Sequence, residues 1–243
     1  MKGVLRCARY AFAPNRLKYC GPDKNNQVAA YLAAGVEDAG LKEILDDFAG
    51  MYPYLKLIGD SNGLGPFDDK VVEAYWIGSK LLDGVGLKQF YDHLNERLKK
   101  RLSLGQLKWV VNKVPQGAKA HHSFHVFNIW NRTGHQESQH TVSSMDACRI
   151  SWGEVVSNGQ LGQSELRLKT QKLVYENGKL KLVPEVVRQV SWRLGDKKLI
   201  SGLKAGDLVT MHWGWVCEKI SLQQAKNLEK YTKWHLKLAN TTI

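Results

Sequence analysis

Proline is scarce in this chain, six residues in 243, and cysteine scarcer, with four. So few prolines, with 43% hydrophobic and 24% charged residues, give no reason to expect disorder. Cys7, Cys20, Cys148 and Cys217 are spread too widely for a disulfide framework or a paired zinc knuckle, so reduced thiols are expected. No apolar run approaches the ~18 residues of a membrane span. Charges also interrupt the opening stretch, "MKGVLRCARYAFAPNR", as they do not in a signal peptide, which points to the cytoplasm. Phosphate loops, dinucleotide fingerprints, HExxH helices and nucleophile elbows are all missing. Acidic residues are in the minority, 23 against 35 lysines and arginines, giving a net charge of +12. The excess is greater in residues 148–243 (16 basic, 8 acidic) than in 1–147 (19 basic, 15 acidic). It favours acidic partners at long range without choosing between protein and nucleic acid.

The periodicities that are present divide the chain near residue 140. Residues 23–35, 40–59 and 68–82 read as short packed helices, the first between an Asp cap and a closing glycine, the second interrupted by Pro53. Residues 86–102 place Leu87, Phe90, Tyr91, Leu94, Leu98 and Leu102 on one apolar stripe. The alternating, aromatic "HHSFHVFNIW" (121–130) predicts a strand followed by a polar loop. Beyond it, four β-type segments punctuated by glycine turns predict a small antiparallel, OB-like barrel, and residues 221–240 a closing helix capped by Ser221. The expected architecture is α+β: a mainly helical domain over 1–140 with a terminal strand, then a barrel and helix over 145–243.

Two residues in the second part draw attention. In "LVTMHWGWVC", read as one strand, alternation puts Met211, Trp213, Trp215 and Cys217 toward the core and His212 on the opposite face, with Gly214 leaving space beside the imidazole. Either His212 meets a ligand or it is a surface residue with a local hydrogen bond. Cys148, at the entrance of the first barrel strand, is either an accessible thiol or a small buried hydrophobe. Arg149 beside it could lower the thiol pKa or could simply face solvent. Of the histidines at 121, 122 and 125, His121 and His125 would share a strand face ~13 Å apart, so a metal site there needs a bend. Interdomain or ligand contact and ordinary packing are the other readings.

Cys148, Gly153 and Val155, followed by Gly206, Asp207, Leu208, Val209, His212, Gly214 and Trp215, occur in an order that resembles the two signatures of the small hydrogenase-assembly chaperones of the HypC/HupF type. Two features differ from that family: its cysteine follows the initiator methionine, and it usually has proline where this chain has Trp152. The resemblance implies a maturation factor in which Cys148 and His212 hold iron as an iron-cyanide-carbonyl unit, with hydrogenase-assembly proteins or the hydrogenase large subunit as partners. The whole chain also resembles an uncharacterised bacterial and archaeal family sharing "YCGPD", "VVEAYWIG" and "HHSFHVF".

Two other classes compete with the carrier reading. One is an enzyme with Cys148 as nucleophile and a histidine as base. The other is a basic barrel binding nucleic acid, which needs Trp152, Trp192, Trp213 or Trp215 at the surface, whereas the alternation buries Trp213 and Trp215.

Overall fold

The computed structural model describes residues 3–129, 140–157 and 165–243. Its first part is helical: α1 (Gly3–Arg16), α2 (Asn25–Ala34), α3 (Ala39–Asp46), α4 (Tyr52–Asn62), α5 (Asp69–Trp76), α6 (Leu87–Leu98), α7 (Leu104–Val111), α8 (His122–Asn128) and α9 (Val142–Cys148). Pro53 opens α4 instead of breaking a longer helix, because the first turn has no use for its missing N–H. α6 buries Phe90, Leu94 and Leu98 from the expected stripe, while Leu87 and Tyr91 remain exposed.

The predicted strand at 121–130 is α8. His121 caps it by accepting a hydrogen bond from the Ser123 amide at 3.1 Å. Every residue of α8 is buried, so no solvent-facing side was available to reveal a helical period, and the aromatic content imitated a strand. The polar loop expected behind it lies largely outside the described residues, and its last part, from Val142, is α9. Cys148 therefore ends a helix; the first strand begins three residues later.

The strands are β1 (Ser151–Ser157), β2 (Glu165–Glu176), β3 (Lys179–Ser191), β4 (Arg193–Leu194), β5 (Lys197–Lys198), β6 (Leu208–His212) and β7 (Trp215–Lys219), before α10 (Leu222–Ala239). The expectation of an antiparallel, OB-like barrel is corrected by the pairing. The five main strands lie in the order β1-β2-β3-β7-β6, with β1 also paired to β6, in a mixed sheet. β3 meets β7 in parallel through one residue pair, Ser191 with Trp215. β4 and β5 form a separate two-stranded piece.

The stretch read as one strand over 208–217 is a hairpin. Trp213 and Gly214 both have positive φ, 49° and 77°, which is what a two-residue turn between right-twisted strands demands. The β2–β3 hairpin solves the same problem with Asn177 and Gly178 (φ 52° and 73°). Asn-Gly advertises such a turn; Trp-Gly does not.

One hydrophobic core includes Tyr10, Tyr75, Trp76 and Phe90 from the helices together with Val155, Leu168, Val209 and Cys217 from the sheet. A smaller cluster joins α8, α9, β2, β3 and α10 through Val126, Met145, Leu173, Leu180 and Leu236. Helices pack on the face of β6 that alternation set opposite the core, so His212 and Thr210 are as buried as Met211 and His212 is not a surface residue. The Ser221 cap forms as expected, accepting from the Gln224 amide at 3.2 Å. Among the described residues no helix is long and apolar enough to cross a membrane.

Candidate metal centre

His122 enters from the first turn of α8, Cys148 from the last residue of α9 and His212 from the last residue of β6. Backbone contacts bring these ends together. The Trp213 amide in the hairpin turn donates to the Ala147 carbonyl at 2.8 Å, which docks β6 onto the end of α9. A His122 ring nitrogen, Nε2, lies 2.9 Å from the Cys148 carbonyl, tying α8 to the same point. The end of α9 is anchored in turn by Asp146, whose carboxylate accepts from the Leu173 amide and Arg149 Nε, both at 2.9 Å, and from Arg188.

One ligand atom from each of His122, Cys148 and His212 lies within 4.8 Å of the others. Four ligands around a zinc-like ion sit roughly 3.3–3.6 Å apart, from bond lengths of about 2.0–2.1 Å to nitrogen and 2.3 Å to sulfur. The trio would close by about an ångström on binding. His212 Nδ1 lies 2.7 Å from the Tyr10 carbonyl and must donate to it, which leaves Nε2 as a lone pair. That Nε2 is buried and accepts no hydrogen bond among the described residues. A carbonyl orienting an imidazole from behind is the usual support for a histidine ligand.

His122 has a hydrogen-bond partner for either ring nitrogen: the Cys148 carbonyl at Nε2, and the Tyr75 hydroxyl 3.2 Å from Nδ1. Facing a carbonyl, the neutral ring donates from Nε2, so Nδ1 carries the lone pair and accepts from the Tyr75 hydroxyl, which can turn instead to the Gly50 carbonyl at 3.3 Å. Burial holds the His212 imidazole down to about 4, against the opposing pull of the Tyr10 and Cys148 carbonyls. His122 is also pushed well below the usual histidine value, first by burial and then by the neighbouring His212. Both rings are therefore neutral at pH 7, the state in which imidazole is a ligand.

The trio lines a cavity of about 50 Å³, enough for a few water-sized atoms. Tyr75, Trp76 and Met51 lie in its buried wall, with Tyr19, Cys20 and Trp213 at its half-buried edge. The Tyr19 and Trp213 rings tilt against each other at 4.5 Å. Cys20 shares this cavity with Cys148; burial pushes its thiol up to about 12.

The other residues singled out from the sequence lie elsewhere. His121 faces away from the trio, its Nδ1 2.8 Å from Ser123 Oγ and its ring stacked on Tyr231. His125 lines the cavity but directs Nδ1 to the Tyr54 hydroxyl at 3.3 Å. Arg149 is 1% exposed and bonded to Asp146 and the Gln171 carbonyl, so it neither faces solvent nor turns its charge to the thiol. Gly153 lets β1 approach β2: a Cβ there would stand 2.6 Å from the Lys169 carbonyl oxygen. Gly206 (φ 86°) turns the chain into β6, and Asp207 fixes that turn by accepting from the Lys204 amide and pairing with Lys219 at 2.7 Å. Gly214 serves the hairpin turn. Trp192 is buried, and Trp152, Trp213 and Trp215 are half-buried.

Reading the sequence put His121 and His125 ahead of His122 as metal ligands, because a strand faces alternate residues together. The helix reverses that ranking. Nothing in the sequence signalled the Tyr10 carbonyl, since a backbone acceptor has no residue signature.

Neither the curated proteins nor the solved structures gave a match to the chain, so no relative ties it to hydrogenase assembly. The profile of the Family of unknown function (DUF6390) matches residues 1–243, and the chain belongs to that family.

Proposed function

We propose that the chain is a metal- and cysteine-dependent protein whose reactive centre is one transition-metal ion held by His122, Cys148 and His212, with a further position open to a small ligand. The observation that carries this reading is the convergence of two imidazoles and one thiol, from three separate elements, on one cavity. Two nitrogens and a sulfur suit zinc, cobalt, iron or copper and are wrong for magnesium or calcium, which take oxygen ligands. Three protein ligands beside an open position are the arrangement of catalytic sites, as opposed to closed structural ones. A bound ion would polarise a small ligand or lower the pKa of a water molecule there. The chain supplies neutral imidazoles oriented from behind, a thiol that loses its proton on coordination, and an apolar wall that limits access of bulk water.

Anaerobic titration of the reduced chain with cobalt(II) tests this. The expected result is one tight equivalent with sulfur-to-cobalt charge-transfer and tetrahedral d–d absorption, with the charge-transfer band lost in Cys148→Ser and affinity falling about 10–100-fold or more in His122→Ala and His212→Ala. Absorption of the free aqueous ion at every ratio would sink the proposal. Turnover by the metal-free chain, abolished by alkylating Cys148, would instead favour a nucleophilic cysteine with His212 as base.

A second reading has one specific support. Cys148 and His212, which the hydrogenase-chaperone resemblance marks as the pair holding an iron-cyanide-carbonyl unit, are two of the three converging donors. Under that reading the ion is cargo, and the partners are hydrogenase-assembly proteins. Infrared bands of bound cyanide and carbon monoxide, after anaerobic purification beside those proteins, are its expected signature; identical spectra for wild type and Cys148→Ala would remove it.

A further inference from the structure

The exposed face of α10 carries Lys230, Lys233 and Lys237 at the spacing of one helical stripe, with Trp234 among them. Together with Lys119 and Tyr231 they line a groove of about 580 Å³, an ordinary size for a small-molecule site. Among the described residues, none lines both this groove and the cavity of the trio. Its aromatic side chains are held in place. Trp234 donates from Nε1 to the Gly117 carbonyl at 3.0 Å, and its ring lies so close to Gly117 that a Cβ there would stand 3.2 Å from the indole. Tyr231 donates to the Ser79 carbonyl at 3.0 Å and stacks on His121. Trp234 still leaves 38% of its surface exposed.

The charge around this groove is unbalanced: four lysines face one aspartate, Asp83, for a net charge of +3 among the described residues. Asp83 pairs with Lys119 at 2.8 Å, and Lys233 pairs with Glu229, which stands outside the groove. Lys230 and Lys237 meet no carboxylate among the described residues; their ammonium groups sit over the Tyr231 and Trp234 rings, 5.2 and 5.6 Å from the centroids. Residues 130–139 and 158–164 carry one arginine and one glutamate, so they bring no net charge of their own. From this we infer that the groove binds a planar aromatic group bearing two or more phosphate charges, the chemistry of a nucleoside diphosphate. The inference goes beyond the metal-centre reading and does not depend on it. A bare polyanion would leave the exposed indole unused, and a neutral ring would leave two cations uncompensated. Stacking on a fixed indole and lysines acting as point charges on phosphate together set the class of ligand.

The full-length chain, without added metal, is titrated calorimetrically at low salt with ADP, with adenosine, which has the ring alone, and with pyrophosphate, which has the charge alone. ADP is expected to bind at one equivalent, at least ~10-fold more tightly than either, and to weaken as salt is raised. Trp234→Ala is expected to bring ADP down to about the affinity of pyrophosphate, while Trp234→Phe, which keeps a ring, holds it within about threefold of wild type. The double change Lys230→Gln and Lys237→Gln is expected to weaken ADP at least ~10-fold. All of these side chains are exposed, and an unchanged circular dichroism spectrum shows that the fold is kept. Pyrophosphate binding as tightly as ADP, or ADP binding indifferent to Trp234→Ala, overturns the inference by reducing the groove to a patch of charge. A chain that ignores ADP and is saturated instead by a short oligothymidylate also overturns it and gives the surface to a polymer. Either outcome leaves the cobalt titration, and with it the metal centre, untouched.

Discussion

Single glycines in this molecule do two different jobs, and substitution separates them. At Gly153 the backbone is ordinary but the space is taken, because a Cβ would press on the Lys169 carbonyl of the neighbouring strand. At Gly214 the space is open and only the positive φ matters. Gly153→Ala is therefore expected to cost about 1–3 kcal/mol through forced strand displacement. Gly214→Ala should cost about 1–2 kcal/mol through left-handed strain alone. Urea unfolding measures both, and the displaced strand should also disturb neighbouring β1–β2 amides in Gly153→Ala but not in Gly214→Ala. Little of this was read from residue identity: Gly153 and Gly206 stood out in the sequence through the hydrogenase-chaperone resemblance, and Gly214 through the space it leaves beside His212. Trp213 did not stand out, since a bulky residue at φ 49° is an unusual choice for a turn. Its amide, bonded to Ala147, supplies a reason for the turn to sit where it does.

At the level of elements, α9 is held less by its own seven residues than by Asp146 near its end. This carboxylate receives Arg149, Arg188 and the Leu173 amide, linking α9 to β2 and β3. Removing it leaves the Arg149 guanidinium, which is almost fully buried, with only the Gln171 carbonyl as a hydrogen-bond partner among the described residues. Asp146→Ala is expected to destabilise the fold by about 3–5 kcal/mol, the usual cost of a buried charge that loses its partner. It should also speed the reaction of Cys148 with a thiol reagent under native conditions, because the cysteine ends the helix that Asp146 secures. An unchanged reaction rate would show that α9 is held some other way. Elements with one wet face were legible in the sequence: the α6 stripe and the Ser221 cap of α10 declared themselves through period and capping chemistry. α8 and the β6–β7 hairpin did not, because total burial erases the contrast on which period-reading depends. The mixed pairing of β3 with β7 was illegible for another reason, since one parallel residue pair leaves no pattern in either strand.

For the whole molecule, histidine burial makes stability pH-dependent. His93 and His125 are held down to about 3, chiefly by burial, and His235 well below its usual value for the same reason. Each is neutral when folded, whereas in the unfolded chain each takes up a proton near pH 6.5. Their contribution is therefore complete above pH 6.5 and is lost as pH falls toward the folded values, by about 1.4 kcal/mol per pH unit for each group. The urea midpoint should fall steadily from pH 7 to pH 5; a midpoint that rises over that range would contradict the buried neutral state. The candidate centre was partly legible at this scale. Cys148 and His212 are 64 positions apart in sequence, and only a resemblance suggested that they meet. His122 joined them unannounced, because the contact depends on three element ends meeting in space.

Of the three donors, two are rooted in the core and one terminates a seven-residue helix. Unwinding the final turn of α9 withdraws sulfur while both imidazoles keep their places. Release of a bound ion would then call for a local opening that breaks the Trp213–Ala147 hydrogen bond and the Asp146 anchor, still short of global unfolding. Hydrogen exchange at the α9 amides should accordingly slow on metal loading far more than exchange at β6. The element end that would present sulfur to an ion would also be its way out.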